Sequence, residues 1–101
     1  MDTEKYNTII CNKLEKMLAS VKTDKKYILF PFGNLGVLTK KILNDEFGIN
    51  EEFIVDNHLS ENKNDIKNFN FLLENFDDNS ILIITSAVLY FFLLFRARNG
   101  N

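Results

Sequence analysis

Cysteine, histidine and proline each occur once in this chain, and tryptophan is missing. With Cys11 alone, no disulfide framework can form within the chain and no pair of thiolates is available to hold a metal. His58 has no second histidine and no cysteine near it in the sequence, which argues against a metal site and against a histidine general base. No catalytic residue and no metal ligand is therefore predicted.

An excess of one charge is also lacking, since 12 basic residues face 14 acidic ones. The lysines are interleaved with acids rather than gathered into a basic stripe, so nucleic acid is not expected as a partner. The amino end shows no basic segment followed by an apolar one, which predicts that there is no signal peptide. Together with the single cysteine, this predicts a cytoplasmic location.

The longest apolar run, residues 81–95, falls short of the about 20 residues that a bilayer-spanning helix needs. We expect it to form a buried strand, a turn at Thr85 and Ser86, and a helix over 87–95 that packs on the sheet and drives self-association. A short membrane anchor flanked by arginines is a less favoured interpretation. In a third, the run is the remnant of a longer domain, and a partner protein covers its apolar surface.

The length of the chain leaves room for one domain, predicted to span residues 1–101. Apolar residues recur at steps of three and four near the amino end and predict a helix within 1–22. A βαβ core is predicted over 26–85 and an apolar tail helix within 86–101. No glycine- or proline-rich linker divides these parts.

The core begins with an apolar strand at 27–30, a turn at 31–36 and a helix over 37–47, which Gly48 ends in the left-handed conformation. A second strand follows at 53–56. The polar segment 57–67 predicts a surface loop. Residues 69–76 predict a short helix with Phe69, Leu72, Leu73 and Phe76 inward.

The aliphatic run 81–85 is typical of a parallel strand that is buried on both faces. These elements predict an α/β fold, a minimal Rossmann-like three-layer domain with a short parallel sheet in the order 2-1-3 and helices on both faces. The helix after the turn is expected on one face, and the tail helix or the amino-terminal helix on the other.

The turn has the residues that a phosphate site requires. Gly33 would let the backbone approach a phosphate, and Gly36 would let the helix pack closely on the strand. Asp56 ends the second strand, where a carboxylate can accept hydrogen bonds from ribose hydroxyls. Thr85 ends the third strand and is expected to line the same crevice. Pro31 stands where the three-glycine fingerprint has its first glycine, so this turn must be built differently.

A structural alternative stays open, in which the glycines only permit a close turn and Asp56 is a solvated strand end.

The stretches YILFPFGNLG (27–36) and IVDNHLS (54–60) resemble the small Rossmann-like NAD(P)-binding domains attached to FkbM-type methyltransferases and other sugar- and polysaccharide-modifying proteins. The resemblance covers about residues 25–85. It implies that Gly33, Asn34, Leu35 and Gly36 form the phosphate-side turn and that Asp56 lies on the ribose side. The implied cofactor is NAD(P) or another nucleotide. No methyltransferase domain follows and no second glycine-rich motif for S-adenosylmethionine is present, so transferase activity is not implied.

The function expected from the sequence is non-catalytic binding of a nucleotide or dinucleotide, in a domain accessory to, or a fragment of, a sugar-modifying or methyltransferase system. The alternative is a structural or protein-interaction module that binds no ligand and docks through its apolar carboxyl-terminal tail. Either way a homo-oligomer or a partner protein is expected to cover the tail. Activity as an enzyme on its own is not expected, because no nucleophile has a base beside it.

Overall fold

The computed structural model describes residues 3–20, 25–86 and 91–96, with Thr3, Ser86 and the last segment described by their backbone alone. The helices are α1 (Thr3–Ala19), α2 (Asn34–Asp45) and α3 (Phe69–Asn75), and a short 3-10 turn covers Leu59–Glu61. The strands are β1 (Lys26–Phe30), β2 (Phe53–Val55), β3 (Ile66–Lys67), β4 (Ser80–Ser86) and β5 (Phe91–Arg96). Among the described helices, none combines the length and the apolar character that crossing a membrane requires.

The strands form one sheet in the order β3-β2-β1-β4-β5. The first four strands in this order are parallel, and β5 runs antiparallel to β4. The α/β class and the predicted order of the three core strands are confirmed, because β2, β1 and β4 are neighbours in that sequence. The short strand β3 lies in the segment predicted as a loop. Ile66 accounts for this strand, because its apolar side chain is only 4% exposed and the residue pairs with Ile54 of β2.

The tail helix expected over 87–95 is wrong where the structure describes it, because β5 occupies Phe91–Arg96. This strand pairs with β4 along its whole length, from Ile81 opposite Arg96 to Ser86 opposite Phe91. Two features of the sequence account for a strand: the apolar run has no helical period, and a link of a few residues suffices for an antiparallel return. Residues 87–90 and 97–101 of the predicted tail lie outside the described residues.

One face of the sheet, here called the first face, is covered by α1 and α2. Ile10 and Leu14 of α1 pack with α2 and with residues of β1 and β4 in one buried cluster. We expected α1 or the tail helix opposite α2, and α1 instead lies beside α2 on the same face. The apolar stripe of α1 explains this arrangement, because it contacts α2 and the sheet at once. Residues 1–2 and 21–24 around this helix lie outside the described residues.

The opposite face, here called the second face, is covered by α3, which confirms the helix predicted at 69–76. Leu72 is buried there against Ile28, Val55 and Leu82. The expected inward set was Phe69, Leu72, Leu73 and Phe76. It is wrong for Leu73, which is 64% exposed, and for Phe69, which is 38% exposed. A helix of 7 residues has too few turns to bury more than a narrow stripe.

Candidate functional site

The predicted site residues meet at the carboxyl ends of β1, β2 and β4. The chain passes from β1 to β2 and β3 on one side and then returns to β4 on the other side of β1. The strand order thus reverses between β1 and β4, and ligands of open parallel sheets bind beside such a reversal. The turn 31–36 follows β1 at this place, Thr85 lies near the end of β4, and Asp56 follows β2.

The two glycines of the turn have different structural roles. A Cβ on Gly36 would lie 2.5 Å from the carbonyl oxygen of Pro31, so glycine is required for α2 to approach the end of β1. A Cβ on Gly33 would meet nothing within 4 Å. Gly33 therefore leaves open space beside the backbone, and Gly36 fixes the packing of the helix.

The amino end of α2 is not capped by a side chain. Gly33 is the capping residue, and the first turn of α2 contains no acidic residue. The carbonyl of Gly33 accepts a hydrogen bond from Val37 N at 2.9 Å, but the amides of Asn34, Leu35 and Gly36 precede the first intrahelical bond. These amides and the helix dipole make the place attractive for an anion.

Leu35 and Asn34, in the first turn of α2, differ in burial. Leu35 is 7% exposed and belongs to the core of the first face, so it anchors the turn. Asn34 is exposed. The half-buried ring of Phe32 packs against the same core and reaches within 3.3 Å of a Cβ built on Gly36. The ring of Phe32 therefore lies beside Gly36.

Asp56 connects two turns through its carboxylate. Its Oδ2 accepts a hydrogen bond from Phe32 N at 3.0 Å, and its Oδ1 accepts from His58 N and Leu59 N, both at 3.0 Å. A carboxylate offers about four acceptor positions, so one position on Oδ2 remains. Asp56 thus joins the turn after β1 to the turn after β2. The sequence predicted its position but not these partners.

Thr85 also binds the turn after β1. It is 3% exposed, and its hydroxyl donates to the carbonyl oxygen of Pro31 at 3.4 Å. The structure therefore places Thr85 at the predicted edge of the sheet, with its side chain buried against Pro31. The same carbonyl oxygen is the atom that a Cβ on Gly36 would meet, so Thr85 and the start of α2 both lie close to it.

A polar cluster that the sequence did not predict lies after α2. Glu51 accepts hydrogen bonds from Lys40 Nζ at 2.7 Å and from Asn44 Nδ2 at 3.0 Å. Partial burial raises the pKa of Glu51, but these bonds outweigh it and hold the pKa below its ordinary value. Gly48 has φ of 65°, as predicted, and lets the chain turn back so that Glu51 reaches α2. The spacing of Lys40 and Asn44 on one side of the helix was the signal available in the sequence.

Cys11 lies in a cavity of about 470 Å³ between α1 and α2, which Asn7, Lys41, Asp45 and Glu46 also line. Burial, Glu46 and Glu15 raise the pKa of the Cys11 thiol. A thiol that stays protonated is a poor nucleophile. Among the described residues, no group of three or more His, Cys, Asp and Glu side chains is placed to hold a metal ion.

Comparison of the chain with protein-family models, with curated proteins and with solved structures gave no match.

Proposed function

We propose that this domain binds a nucleotide or dinucleotide, such as NAD(P), without catalysing a reaction on it. The phosphate would lie on the amides of residues 33–36, beside the open space at Gly33. The observation that carries this proposal is the uncapped start of α2 at the point where the strand order reverses. Both features favour an anionic ligand at the same place.

The ribose would be bound by Asp56. Three of its acceptor positions hold backbone amides, and the remaining position on Oδ2 is available for a ribose hydroxyl. Asp56 would therefore act both as a ligand contact and as the group that holds the turn in place. Thr85 contributes indirectly, because its hydroxyl fixes the carbonyl of Pro31.

The resemblance described above would make the domain an accessory of a sugar-modifying or methyltransferase system. We propose the cytoplasm as its place of action, where the unpaired thiol of Cys11 would remain reduced.

A thermal-shift panel tests the binding of nucleotides directly. A ligand present at about 100 times its Kd adds roughly 2.7 kcal/mol to the free energy of unfolding. For so small a domain this should raise the melting midpoint by about 10 °C or more. The panel consists of NAD, NADH, S-adenosylmethionine and nucleotide sugars. If all of them leave the midpoint of a well-folded sample unchanged, this function is excluded.

The variant Asn34→Asp separates binding from folding. A carboxylate in the first turn of α2 interacts favourably with the helix dipole, so the free protein should keep its stability or gain slightly. The same charge would repel a phosphate, so the ligand-induced shift should be lost. Asn70→Asp is the matched control, because it makes the same change in the first turn of α3. An unchanged ligand shift in Asn34→Asp would show that the phosphate does not lie at this turn.

A second candidate function is a protein-interaction module that binds no nucleotide. Two observations favour it: backbone amides of the domain itself occupy most of the Asp56 carboxylate, and the apolar strand β5 lies at the edge of the sheet. It predicts association that depends on protein concentration. It also predicts that no nucleotide changes the melting midpoint.

A further inference from the structure

We infer that β5 pairs with β5 of a second copy of this chain, antiparallel, and joins the two sheets into one. This inference rests on the second candidate function and names the partner that it requires. It needs no ligand.

The first observation is the position of β5. Its inner edge pairs with β4 over six residue pairs, from Ile81 with Arg96 to Ser86 with Phe91. No strand among the described residues pairs with its outer edge, because β5 is the last strand in the order of the sheet. The backbone groups along an outer edge are a template for another strand.

The second observation is that the two edges of the sheet differ in length. The opposite edge is formed by β3, which has 2 residues, whereas β5 has 6 residues. A very short edge strand offers too few backbone groups for stable pairing. Of the two edges formed by the described strands, only the β5 edge is long enough to pair, so association through it closes at two copies and does not continue into a fibre.

The third observation is the composition of β5. Residues 91–95 are Phe-Phe-Leu-Leu-Phe, without the lysine or proline that commonly prevents pairing at the edge of a sheet. Residues that lie opposite each other in neighbouring strands belong to the same face of the sheet, and a two-fold axis keeps each residue of β5 on its own face, so paired positions differ by an even number. In a pairing centred on Leu93, Leu93 lies opposite Leu93 of the partner subunit, and Phe91 lies opposite Phe95 of the partner subunit. No like charges face each other in this register. A second β5 thus matches the first in length, direction and charge.

Sedimentation velocity over a wide range of protein concentration tests the pairing. The wild-type chain should form a dimer, and Leu93→Lys should weaken self-association by about tenfold or more, because the two-fold axis places the two new lysines opposite each other. Leu73→Lys places the same charge on an exposed leucine of α3 and should leave the dimer intact. Circular dichroism checks that both variants are folded.

Hydrogen exchange on the wild-type chain gives a readout that needs no variant. The amides of 91–96 should become more protected as the protein concentration rises, and those of 69–75 should not. Association without this protection would overturn β5 pairing and leave the interaction function standing. A wild-type chain that stays monomeric at every concentration, or a Leu93→Lys variant that associates like the wild type, would overturn β5 pairing as well. Nucleotide binding is untouched by each of these results.

Discussion

The two faces of the sheet are covered by very different amounts of helix. The first face carries helices of 17 and 12 residues, whereas the second carries one helix of 7 residues. Among the described residues, the buried cluster on the first face has 12 members and that on the second face has 4. The ring of Phe53 meets that of Phe71 edge-on at 4.9 Å, and such a pair adds about 0.5–1.5 kcal/mol.

This difference also assigns the candidate site to one face. The turn 31–36 is held by α2, and α2 belongs to the first face. The second face lies behind the sheet from α2. Changes on the first face should therefore alter both stability and the site, and changes on the second face should alter stability alone.

The largest expected loss of stability comes from shortening a buried leucine, and its size should differ between the two faces. Leu43→Ala should lower the free energy of unfolding by about 4 kcal/mol, because the side chain is fully buried between α1, α2 and the sheet. Leu72→Ala on the second face should cost about 2 kcal/mol, because the short α3 can settle into the space left behind. Chemical denaturation measures both values. An equal or larger loss for Leu72→Ala would contradict the difference between the faces.

The next effect concerns the carboxylate that joins the two turns. Asp56→Ala removes the acceptor of three backbone amides and should cost about 2–3 kcal/mol. Asp56→Asn keeps one acceptor oxygen and should cost less. Asp65→Ala, at an exposed acid in the same connection, should change stability by less than about 0.5 kcal/mol. Equal stability of Asp56→Ala and the wild type would mean that the carboxylate does not hold the turn.

A somewhat smaller effect tests the contact of α2 with β1. Gly36→Ala should cost about 1–3 kcal/mol, because the new methyl group lies 2.5 Å from the carbonyl oxygen of Pro31. The higher helix propensity of alanine offsets part of this cost. Gly33→Ala meets no atom within 4 Å and should change stability by less than about 1 kcal/mol. Thermal denaturation compares the stabilities of the two variants. A Gly36→Ala variant as stable as Gly33→Ala would contradict the close approach of α2 to the end of β1.

The smallest expected effect is the pH dependence of stability that comes from Glu51, which is bonded to α2 of the first face. The pKa of Glu51 is lowered in the folded state, so the ionised carboxylate contributes to the free energy of unfolding. This contribution is fully present above the ordinary pKa of 4.5 and is lost as the pH falls through the lower pKa of the folded state. The side chain of Lys40 is 38% exposed, so solvent screening of its pair with Glu51 limits this contribution to less than about 1 kcal/mol.

Glu51→Gln should therefore lose less stability than the wild type between neutral pH and pH about 3. Glu52→Gln, at the neighbouring exposed acid, should follow the wild type. Thermal melts across this range measure the difference, and identical slopes for Glu51→Gln and the wild type would contradict the role of the bond with Lys40.

Much of the fold could be predicted because it is encoded in local patterns. The apolar spacing of α2, the need for glycine at Gly36 and the left-handed Gly48 all depend on residues close in sequence. The partners of Asp56 could not be predicted, because they depend on where the turn after β1 arrives in space. The strand β5 was missed because a continuous apolar run carries no period that separates helix from strand.

The contact between Gly36 and Pro31 has a consequence for the thermodynamics of any ligand at this edge. A helix that packs this closely on the backbone directly after the central strand β1 cannot slide or rotate unless that backbone moves with it. A ligand at residues 33–36 would thus meet donors that are already oriented, and little conformational entropy would be lost on binding. Affinity at this place would then be set mainly by desolvation and charge.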